Sequence, residues 1–321
     1  MYSKVFITGA NGFIGRALAR RYRELGSTVC GIDLRADPEW GVAAADMLDP
    51  ASWRHMLPGC DLLIHAAALV SNTASMDQAW HVNVLGTREV VAAAADAGVR
   101  RFVHVSSVAA FGFEHRVEVD ETTPLRTINH PYVDTKITSE HTVLMAHGSG
   151  TIEATIIRPG DVYGPGSRPW VVLPLAMIRG GRFLLPAHGE GLFSPVYIDD
   201  LVSGIVLAAD SPAGAGQVFI LTGTEQPTCN TYFGHLARMA GKKRLPAASS
   251  AIANLCADAI GGAARLLGRE SELGRNTMRM LARTAGYSIA KAQRTLGYEP
   301  EVNLATGMAR VEAWCRECKL L

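Results

Sequence analysis

A tyrosine and a lysine stand four residues apart, Tyr132 and Lys136, in the pattern Y-x-x-x-K. On a helix, positions four apart share one face, so the phenol and the ammonium can converge on one point. A free tyrosine has a pKa of about 10, which suits proton transfer near neutral pH poorly. A neighbouring ammonium favours the phenolate and lowers that pKa. The pair therefore predicts that Tyr132 is a general acid–base and that Lys136 tunes it.

Two serines, Ser106 and Ser107, end the run RFVHVSS and supply a hydroxyl near such a pair. The Ser107 hydroxyl can donate to a carbonyl oxygen while Tyr132 exchanges the proton, and together they polarise the C–O bond. The alternative is that both serines only satisfy backbone groups at the end of a strand. For Ser106 the two interpretations weigh equally.

A glycine-rich run, Thr-Gly-Ala-Asn-Gly-Phe-Ile-Gly at residues 8–15, lies between a strand and a helix candidate. Its G-x-x-G-x-x-G spacing lets backbone N–H groups approach a pyrophosphate at the positive end of a helix. Asp33 follows 18 residues after Gly15, where an acid accepts both ribose hydroxyls of adenosine and repels a 2′-phosphate. Arg35 instead favours that phosphate, and Asp33 also suits a simple loop cap. We predict NAD as the cofactor, with NADP as the weaker alternative.

Strand and helix candidates alternate through the first half of the chain, which predicts right-handed βαβ units and a parallel, doubly wound Rossmann sheet. The strand candidates are Lys4–Thr8, Thr28–Asp33, Asp61–Ala66, Arg101–Ser106 and Glu153–Arg158, and the helix candidates are Phe13–Leu25, Ala79–Ala97 and Tyr132–Ala146. These elements would bring the chemical groups described above to one edge of the sheet.

Past Pro159 the rhythm changes, because proline and glycine become dense. A strand–helix unit returns at Pro195–Ala209, Gln217–Thr222 resembles one more strand, and 228–321 is mainly helical. We predict an NAD-binding Rossmann domain over 1–165, with 195–225 returning to it. Residues 166–194 and 226–321 would form a smaller, interleaved C-terminal substrate domain, with the ligand in the cleft between the two.

The composition excludes several classes of protein. The 321 residues are 48% apolar, and 31 Lys and Arg nearly balance 30 Asp and Glu, which leaves no basic footprint for nucleic acid or an anionic membrane. Six scattered cysteines form no disulfide framework, and no stretch predicts a signal peptide or a membrane span. We therefore expect a cytoplasmic protein with reduced thiols. A C-x-x-C pair, Cys315 and Cys318, has no second pair to complete a metal site.

Three histidines are alternative candidates for chemistry. His65 and His104 lie inside apolar strand candidates and are interpreted as core histidines. His130 precedes Tyr132 by two residues and is a weak candidate for the cleft wall. No metal-ligand spacing recurs, so no metal is predicted.

Taken in order, the motifs resemble those of the short-chain dehydrogenase/reductase superfamily, in its extended branch of NAD-dependent epimerases, dehydratases and hydroxysteroid-type dehydrogenases. The resemblance covers about two-thirds of the chain. It rests on the glycine turn, on Tyr132 and Lys136, and on three further runs: Asp46-Met47, Ala66-Ala67-Ala68 and Asn83-Val84-Leu85-Gly86-Thr87.

The resemblance implies roles for individual residues. Ser107, five residues before Gly112, would join Tyr132 and Lys136 as the third catalytic residue, and Lys136 would also hold the nicotinamide ribose. Asn83 would be structural or a relay near Lys136. The cofactor-binding set that it implies is Gly9, Asn11, Gly12, Phe13, Ile14, Gly15, Asp33, Asp46, Met47, Ala66, Ala67, Ala68, Asn83, Tyr132, Lys136 and Gly160. Helices 79–97 and 132–146 would form the family's dimer bundle, so a homodimer is expected.

The substrate region departs from the nucleotide-sugar members in two places. Asp161 stands where those members carry asparagine, and an acid there would repel a diphosphate. Phe193 stands near the place of an arginine that holds phosphate, for which Arg168 or Arg182 are the substitutes in reach. The apolar candidates for the pocket wall suit an uncharged or lipophilic small molecule, although each also suits the core of the small domain: Trp170, Val171, Leu173, Met177, Phe183, Leu184 and Phe193.

Three functions follow from these residues. The first is an NAD-dependent oxidoreductase that interconverts a secondary alcohol and a ketone on a non-nucleotide substrate. The second is a sugar epimerase or dehydratase with the same three residues and a tightly held cofactor. The third is a non-catalytic dinucleotide-binding sensor or scaffold, which would not need a tuned phenol.

Overall fold

A computed structural model describes residues 2–71, 73–115, 117–266 and 274–321. The strands are β1 (Lys4–Thr8), β2 (Thr28–Asp33), β3 (Val42–Ala44), β4 (Leu62–His65), β5 (Arg101–Val105), β6 (Glu153–Pro159), β7 (Asp161–Tyr163), β8 (Pro195–Tyr197) and β9 (Val218–Leu221). The helices are α1 (Phe13–Glu24), α2 (Pro50–Trp53), α3 (Met76–Trp80), α4 (Gly86–Asp96), α5 (Pro131–Gly148), α6 (Leu173–Arg179), α7 (Ile198–Asp210), α8 (Cys229–Met239), α9 (Ser250–Leu266), α10 (Arg275–Leu281), α11 (Ala290–Leu296) and α12 (Leu304–Glu317).

Seven strands form one parallel sheet in the order β3-β2-β1-β4-β5-β6-β9, which confirms the predicted Rossmann architecture. The order reverses beside β1, where β2 lies on one side and β4 on the other. Because all seven strands run the same way, their carboxyl ends share one edge. In open sheets of this kind, ligands bind at that edge, beside the point of reversal.

Helices cover both faces of the sheet, and the alternation of side chains along β1 assigns them. Val5 and Ile7 face the core below α1 and α7, whereas Phe6 faces α4 and α5. The first of these cores continues without a break into α8 and α12. The C-terminal helices therefore share packing with the sheet.

The second half of the chain also contributes to the sheet, because β9 pairs with β6. A second, two-stranded parallel sheet joins β7 to β8. The sequence predicted neither β3 nor β7 as a strand, since each is only three residues long and carries no clear pattern.

The helix predicted at 79–97 is present, but it begins three residues earlier and contains a π turn. It begins at Met76, because Ser75 and Gln78 form a capping box in which each side chain bonds the other residue's backbone. A single π turn, His81–Leu85, then separates α3 from α4. Such turns often mark functional positions, and this one carries Asn83.

Candidate active site

The glycine turn wraps closely around the chain that follows β4. Gly9 has a φ of 68°, and a Cβ atom there would lie 2.8 Å from the backbone nitrogen of Ala67. A Cβ on Gly15 would lie 2.1 Å from the carbonyl oxygen of Gly9. Helix α1 begins at Phe13, followed by Ile14, directly after its N-cap residue Gly12. No described side chain accepts a hydrogen bond from the free N–H groups of its first turn. This backbone cradle fits a pyrophosphate.

Asp33 lies where β2 ends, beside the glycine turn. One carboxylate oxygen accepts from the backbone N–H of Asn11 at 3.0 Å, and the other accepts from Leu34 at 2.8 Å. The loop-cap interpretation therefore accounts for part of its bonding. The side chain of Asn11 donates to the carbonyl oxygen of Arg35, whose own side chain is exposed. Both the acid and the competing arginine thus border the expected adenosine position.

His65 connects the glycine turn to the helix of Asn83. Its Nδ1 lies 2.7 Å from the Thr8 hydroxyl, and its Nε2 lies 3.0 Å from the Thr87 hydroxyl. Since Thr87 gives its proton to the Asn83 carbonyl oxygen, His65 must donate from Nε2 and accept at Nδ1. Burial, with the charge of Lys136, lowers the pKa of His65 to about 3. The histidine is a neutral core residue, as predicted.

Asn83 anchors the loop after Ala66, Ala67 and Ala68. Its amide oxygen accepts from the N–H of Leu69 at 2.7 Å, and its amide nitrogen donates to the Leu69 carbonyl at 3.1 Å. The same nitrogen donates to the Thr135 hydroxyl on α5. Asn83 therefore holds the small-residue loop against the helix of Tyr132. This geometry favours the structural role among those expected for it.

Asp46 and Met47 follow the short strand β3 at the edge of the expected adenine position. The Asp46 side chain is exposed and accepts from the N–H of Leu48. Met47 is buried, and its methyl group lies so close to Gly86 that a Cβ atom there would be only 2.7 Å away. Met47 thus packs the loop onto α4, and only Asp46 is open to a ligand.

Ser107, Tyr132 and Lys136 come together at the carboxyl ends of β5 and β6. The Ser107 side chain interacts with the Tyr132 phenol in the sense that favours the phenolate and lowers its pKa. It also accepts from the N–H of Ala109, so the serine begins its own turn of 3₁₀ helix. Lys136 is 3% exposed and donates from Nζ to the Val105 carbonyl at 2.8 Å. The ammonium is thus held two residues before Ser107 along the chain, and it shares helix α5 with the phenol.

The pKa values of this site differ from the expectation for the tyrosine. Burial raises the pKa of Tyr132, and interaction with the Ser107 side chain opposes that rise. Burial lowers the pKa of Lys136 to about 8, while the Glu140 carboxylate opposes that fall. In the chain alone, desolvation therefore outweighs the tuning that the Y-x-x-x-K pattern predicted. A bound cationic ring would add a further charge that favours phenolate.

His130 is the N-cap of α5 and not a wall of the cleft. Its Nδ1 accepts from the N–H groups of Tyr132 and Val133. Burial lowers the pKa of His130, which suits an acceptor role. The histidine thus fixes where the helix begins, and with it the position of Tyr132.

Behind Lys136 lies a fully buried ion pair that the sequence did not reveal. Glu140 accepts from Arg158 through both oxygens, at 2.9 Å from Nε and 2.6 Å from Nη2. The Ser106 hydroxyl donates to the same carboxylate. This bond favours the interpretation of Ser106 as a structural residue. The Arg158 guanidinium lies 4.6 Å from the centre of the Phe111 ring. The one feature of the sequence that could have indicated Glu140 is its position four residues after Lys136, on the same helix face.

Asp161 is not the unpaired acid that the sequence indicated. Arg283, which follows α10, forms a buried ion pair with it, and the N–H of Ser194 donates to the same carboxylate. Arg283 also donates to the Leu192 carbonyl at 3.2 Å and lies 6.0 Å from the centre of the Phe193 ring. Arg283 therefore lies beside Phe193, but its charge is already paired with Asp161. Nothing in the local sequence links residues 122 positions apart.

Most of the apolar residues predicted for the pocket wall belong to the core. Val171 and Phe193 are fully buried, and Phe193 packs 4.0 Å from the ring centre of Tyr232. Leu173, in contrast, is exposed. Gly160 lies at the edge between β6 and β7, where a Cβ would come within 2.4 Å of the Ser194 carbonyl. The wall of a substrate pocket must come mainly from other side chains.

Neither a metal site nor a membrane helix is found in the described residues. There, no group of three or more His, Cys, Asp or Glu is close enough to hold a metal ion. No described helix is both long and apolar enough to cross a membrane. Cys315 is buried in α12 and Cys318 is exposed just after it, and both thiols are free.

Comparison with known proteins places these features in context. The model of the NAD-dependent epimerase/dehydratase family matches residues 5–221. The chain is 30% identical to a 4-hydroxy-2-methyl-3-oxo-4-farnesyl-3,4-dihydroquinoline-1-oxide ketoreductase of Stigmatella aurantiaca, over 95% of this chain and 94% of that protein. It is 29% identical to a 2-alkyl-3-oxoalkanoate reductase of Stenotrophomonas maltophilia (strain K279a), over 97% and 98% of the two chains. A 3-beta-hydroxysteroid dehydrogenase of Mycolicibacterium neoaurum is 28% identical, over 95% of this chain and 89% of the dehydrogenase.

Solved structures agree with the fold. MoeE5 in complex with UDP-glucose and NAD superposes with a TM-score of 0.79 at 23% identity, over 98% of this chain and 99% of that chain. At this level of identity the likeness establishes the shared architecture only.

Proposed function

The chain belongs to the NAD-dependent epimerase/dehydratase family, and from this premise we propose that it is an NAD-dependent oxidoreductase that interconverts a secondary alcohol and a ketone. The observation that carries the proposal is the convergence of Ser107, which favours the phenolate of Tyr132, with Lys136, one helical turn from that tyrosine and bonded to the Val105 carbonyl. A serine hydroxyl beside a phenol allows both groups to address one substrate oxygen.

In the alcohol-to-ketone direction, Tyr132 as phenolate takes the hydroxyl proton while Ser107 donates a hydrogen bond to the same oxygen. When bound, NAD supplies the hydride acceptor. Lys136 stabilises the phenolate by its charge and is placed to hold the nicotinamide ribose. The glycine turn fits the pyrophosphate, and Asp33 favours NAD through the free ribose hydroxyls. In the reverse direction, Tyr132 returns the proton to the oxygen of the ketone.

The substrate proposed is small, lipophilic and free of a nucleotide diphosphate. Support comes from Arg283, whose guanidinium is buried, paired with Asp161 and flanked by the rings of Phe193 and Tyr287. Because the Asp161 carboxylate already neutralises this cation, Arg283 attracts a phosphate less than an unpaired arginine would. Arg168 and Arg182, the substitutes considered from the sequence, are exposed. The names of the relatives, a 2-alkyl-3-oxoalkanoate reductase and a farnesylated-quinoline ketoreductase, favour a lipophilic ketone.

A ketone panel tests the proposal. The purified protein is assayed for NADH and NADPH oxidation with a 2-alkyl-3-oxoalkanoate, a 3-oxosteroid and UDP-4-keto-glucose. We expect NADH-dependent reduction of at least one lipophilic ketone and none of the nucleotide sugar. Reduction of the nucleotide sugar alone would overturn the proposed substrate class.

Cofactor retention separates the oxidoreductase from an epimerase or dehydratase. The protein is denatured before and after exhaustive dialysis, and the released NAD(H) and NADP(H) are quantified by mass spectrometry. An oxidoreductase exchanges its cofactor at each turnover, so we expect its loss on dialysis. Stoichiometric NAD that resists dialysis would favour the enzyme class in which the cofactor is regenerated in place.

We also propose that the protein forms a homodimer, as the resemblance to the family leads us to expect. Trp80 on α3 and Met145 on α5 are exposed large side chains on the helices expected to form a dimer bundle. Light scattering after size-exclusion chromatography gives the mass directly, and a mass near twice 34.3 kDa would support a homodimer.

A further inference from the structure

Glu140 lies on the same face of α5 as Tyr132 and Lys136, at successive intervals of four residues. Its side chain is fully buried, as is that of Arg158, its ionic partner. From this placement we infer that Glu140 is a positioning residue that keeps Lys136 charged and directed at the active site, with Arg158 as the fixed counter-charge that holds Glu140 in place. The inference rests on the proposed function and adds a residue to its machinery.

The first support is geometric. The Glu140 carboxylate connects three elements that carry the site: Arg158 on β6, Ser106 at the end of β5, and α5 itself. Arg158 in turn lies against the ring of Phe111, in the 3₁₀ turn that begins at Ser107. A two-point contact between guanidinium and carboxylate fixes orientation as well as distance. The ion pair thus sets the position of Ser107 relative to Tyr132 and Lys136.

The second support is electrostatic. A buried ammonium tends to lose its proton, and burial lowers the pKa of Lys136 to about 8, against which the Glu140 carboxylate acts. On the opposite side, His65 on β4 and His104 on β5 face Lys136. Burial and the charge of Lys136 lower the pKa of both histidines, so neither adds a competing positive charge at neutral pH. Within the described residues, Glu140 is the carboxylate that raises the pKa of Lys136.

The small net stability of a buried ion pair is itself an argument that the Glu140 charge has a chemical role. Burying a carboxylate and a guanidinium gains little net stability, and apolar residues of similar size often do as well. A carboxylate that only stabilised the fold would therefore be replaceable. One that maintains the charge of Lys136 has a chemical role that an apolar pair cannot reproduce.

The test is a tyrosinate titration that needs no substrate. Absorbance near 295 nm is followed with pH in the NAD-bound protein, and the curve of the Tyr132→Phe variant is subtracted to leave the signal of Tyr132. Glu140→Gln keeps the shape of the side chain and removes its charge, so Lys136 should lose its proton more readily. We expect the midpoint of Tyr132 to move to higher pH by about one unit.

Two further variants make the outcome decisive. Glu140→Gln/Arg158→Met removes both charges and leaves no isolated buried ion, so it should fold even if the single variant does not. It should show an alkaline shift in the same direction but smaller, because loss of the Arg158 cation offsets part of the loss of the Glu140 carboxylate. Glu312→Gln removes a carboxylate paired with Arg316 on the exposed face of α12 and should leave the midpoint unchanged. An unmoved midpoint in the folded double variant would overturn the inference. Absence of any Tyr132 signal in the unaltered protein would instead count against the proposed mechanism itself.

Discussion

Lys136 and Arg283 are two buried cations that the chain holds by different means. Lys136 donates to Val105, 31 positions away, and lies one helical turn from Glu140. Arg283 pairs with Asp161 across 122 positions and donates to Leu192 across 91. The first cation belongs to a helix face beside a strand end, whereas the second closes a contact between the sheet edge and the C-terminal helices. Local spacing thus defines the half proposed for catalysis, called the local half, and long-range pairing defines the half proposed to bind substrate, called the long-range half.

The largest effect is expected in the local half, from Tyr132→Phe. Loss of the phenol should lower kcat by about 10²–10⁴-fold, because positioned acid–base catalysis contributes that much. NADH affinity should change little, since the ring and Lys136 remain. Steady-state kinetics and NADH fluorescence titration measure the two quantities. Tyr163→Phe is the matched control, because its buried hydroxyl has no hydrogen-bond partner among the described residues. Turnover that survives in Tyr132→Phe would contradict the mechanism.

Breaking the Asp161–Arg283 pair in the long-range half should lower the free energy of unfolding. Arg283→Met leaves the Asp161 carboxylate buried without its cation, and we expect unfolding free energy to fall by about 3–5 kcal/mol in urea denaturation. Asp161→Asn/Arg283→Met removes both charges and should recover most of the loss. Arg316→Met, which removes an exposed ion pair, should cost less than about 1 kcal/mol. If Arg283→Met and Arg316→Met lowered the free energy of unfolding equally, the buried pair would be no more important for stability than the exposed pair.

Cofactor choice gives a smaller effect within the local half. Asp33→Asn keeps an acceptor for the N–H of Asn11 but removes the charge that repels a 2′-phosphate. We expect the Kd for NADH to rise about tenfold, or about 1.4 kcal/mol, and that for NADPH to fall. Fluorescence titrations with both cofactors supply the ratio. If the ratio does not change, the exposed Arg35 and not Asp33 governs the choice.

The smallest effect concerns the acid stability of the same half. The pKa of His65 is about 3 in the folded chain, below the ordinary 6.5, so the unfolded chain binds the proton first. Stability must then fall as the pH drops below 6.5, by about 0.8 kcal/mol at pH 6 from this residue. His65→Gln should flatten the dependence of urea midpoint on pH between 5 and 7. His55→Gln, at an exposed site, serves as the control and should leave the slope as it is.

The sequence was sufficient for the sheet and for the placing of Tyr132 and Lys136 on one helix face, because those signals are local, whereas their catalytic roles are still predictions. β1 and β2 have the predicted bounds, and Tyr132 and Lys136 share a helix face at a spacing that any helix imposes. The roles proposed for the cofactor residues are still predictions, although the glycine turn has the close backbone approach they require.

The long-range half was predicted less well, for physical reasons. The acidity of Asp161 is visible in the sequence, but its neutralisation by Arg283 depends on how the C-terminal helices pack. Phe193 and Val171 are apolar whether they line a pocket or fill a core, so composition alone cannot separate the two. The same limit applied to Glu140, because a carboxylate on a helix is usually solvated and only packing shows that this one is enclosed.

The position of β9 has a consequence for how the protein forms during synthesis. This strand covers the free edge of β6, yet it is made 59 residues after β6 ends, when the segment carrying β7, β8 and α7 has already been added. Until residue 221 leaves the ribosome, the sheet presents the unpaired edge of a buried, apolar strand, which is a template for pairing between chains. Ribosome-bound chains that stop before Val218 should therefore need chaperones more than chains that extend past Leu221.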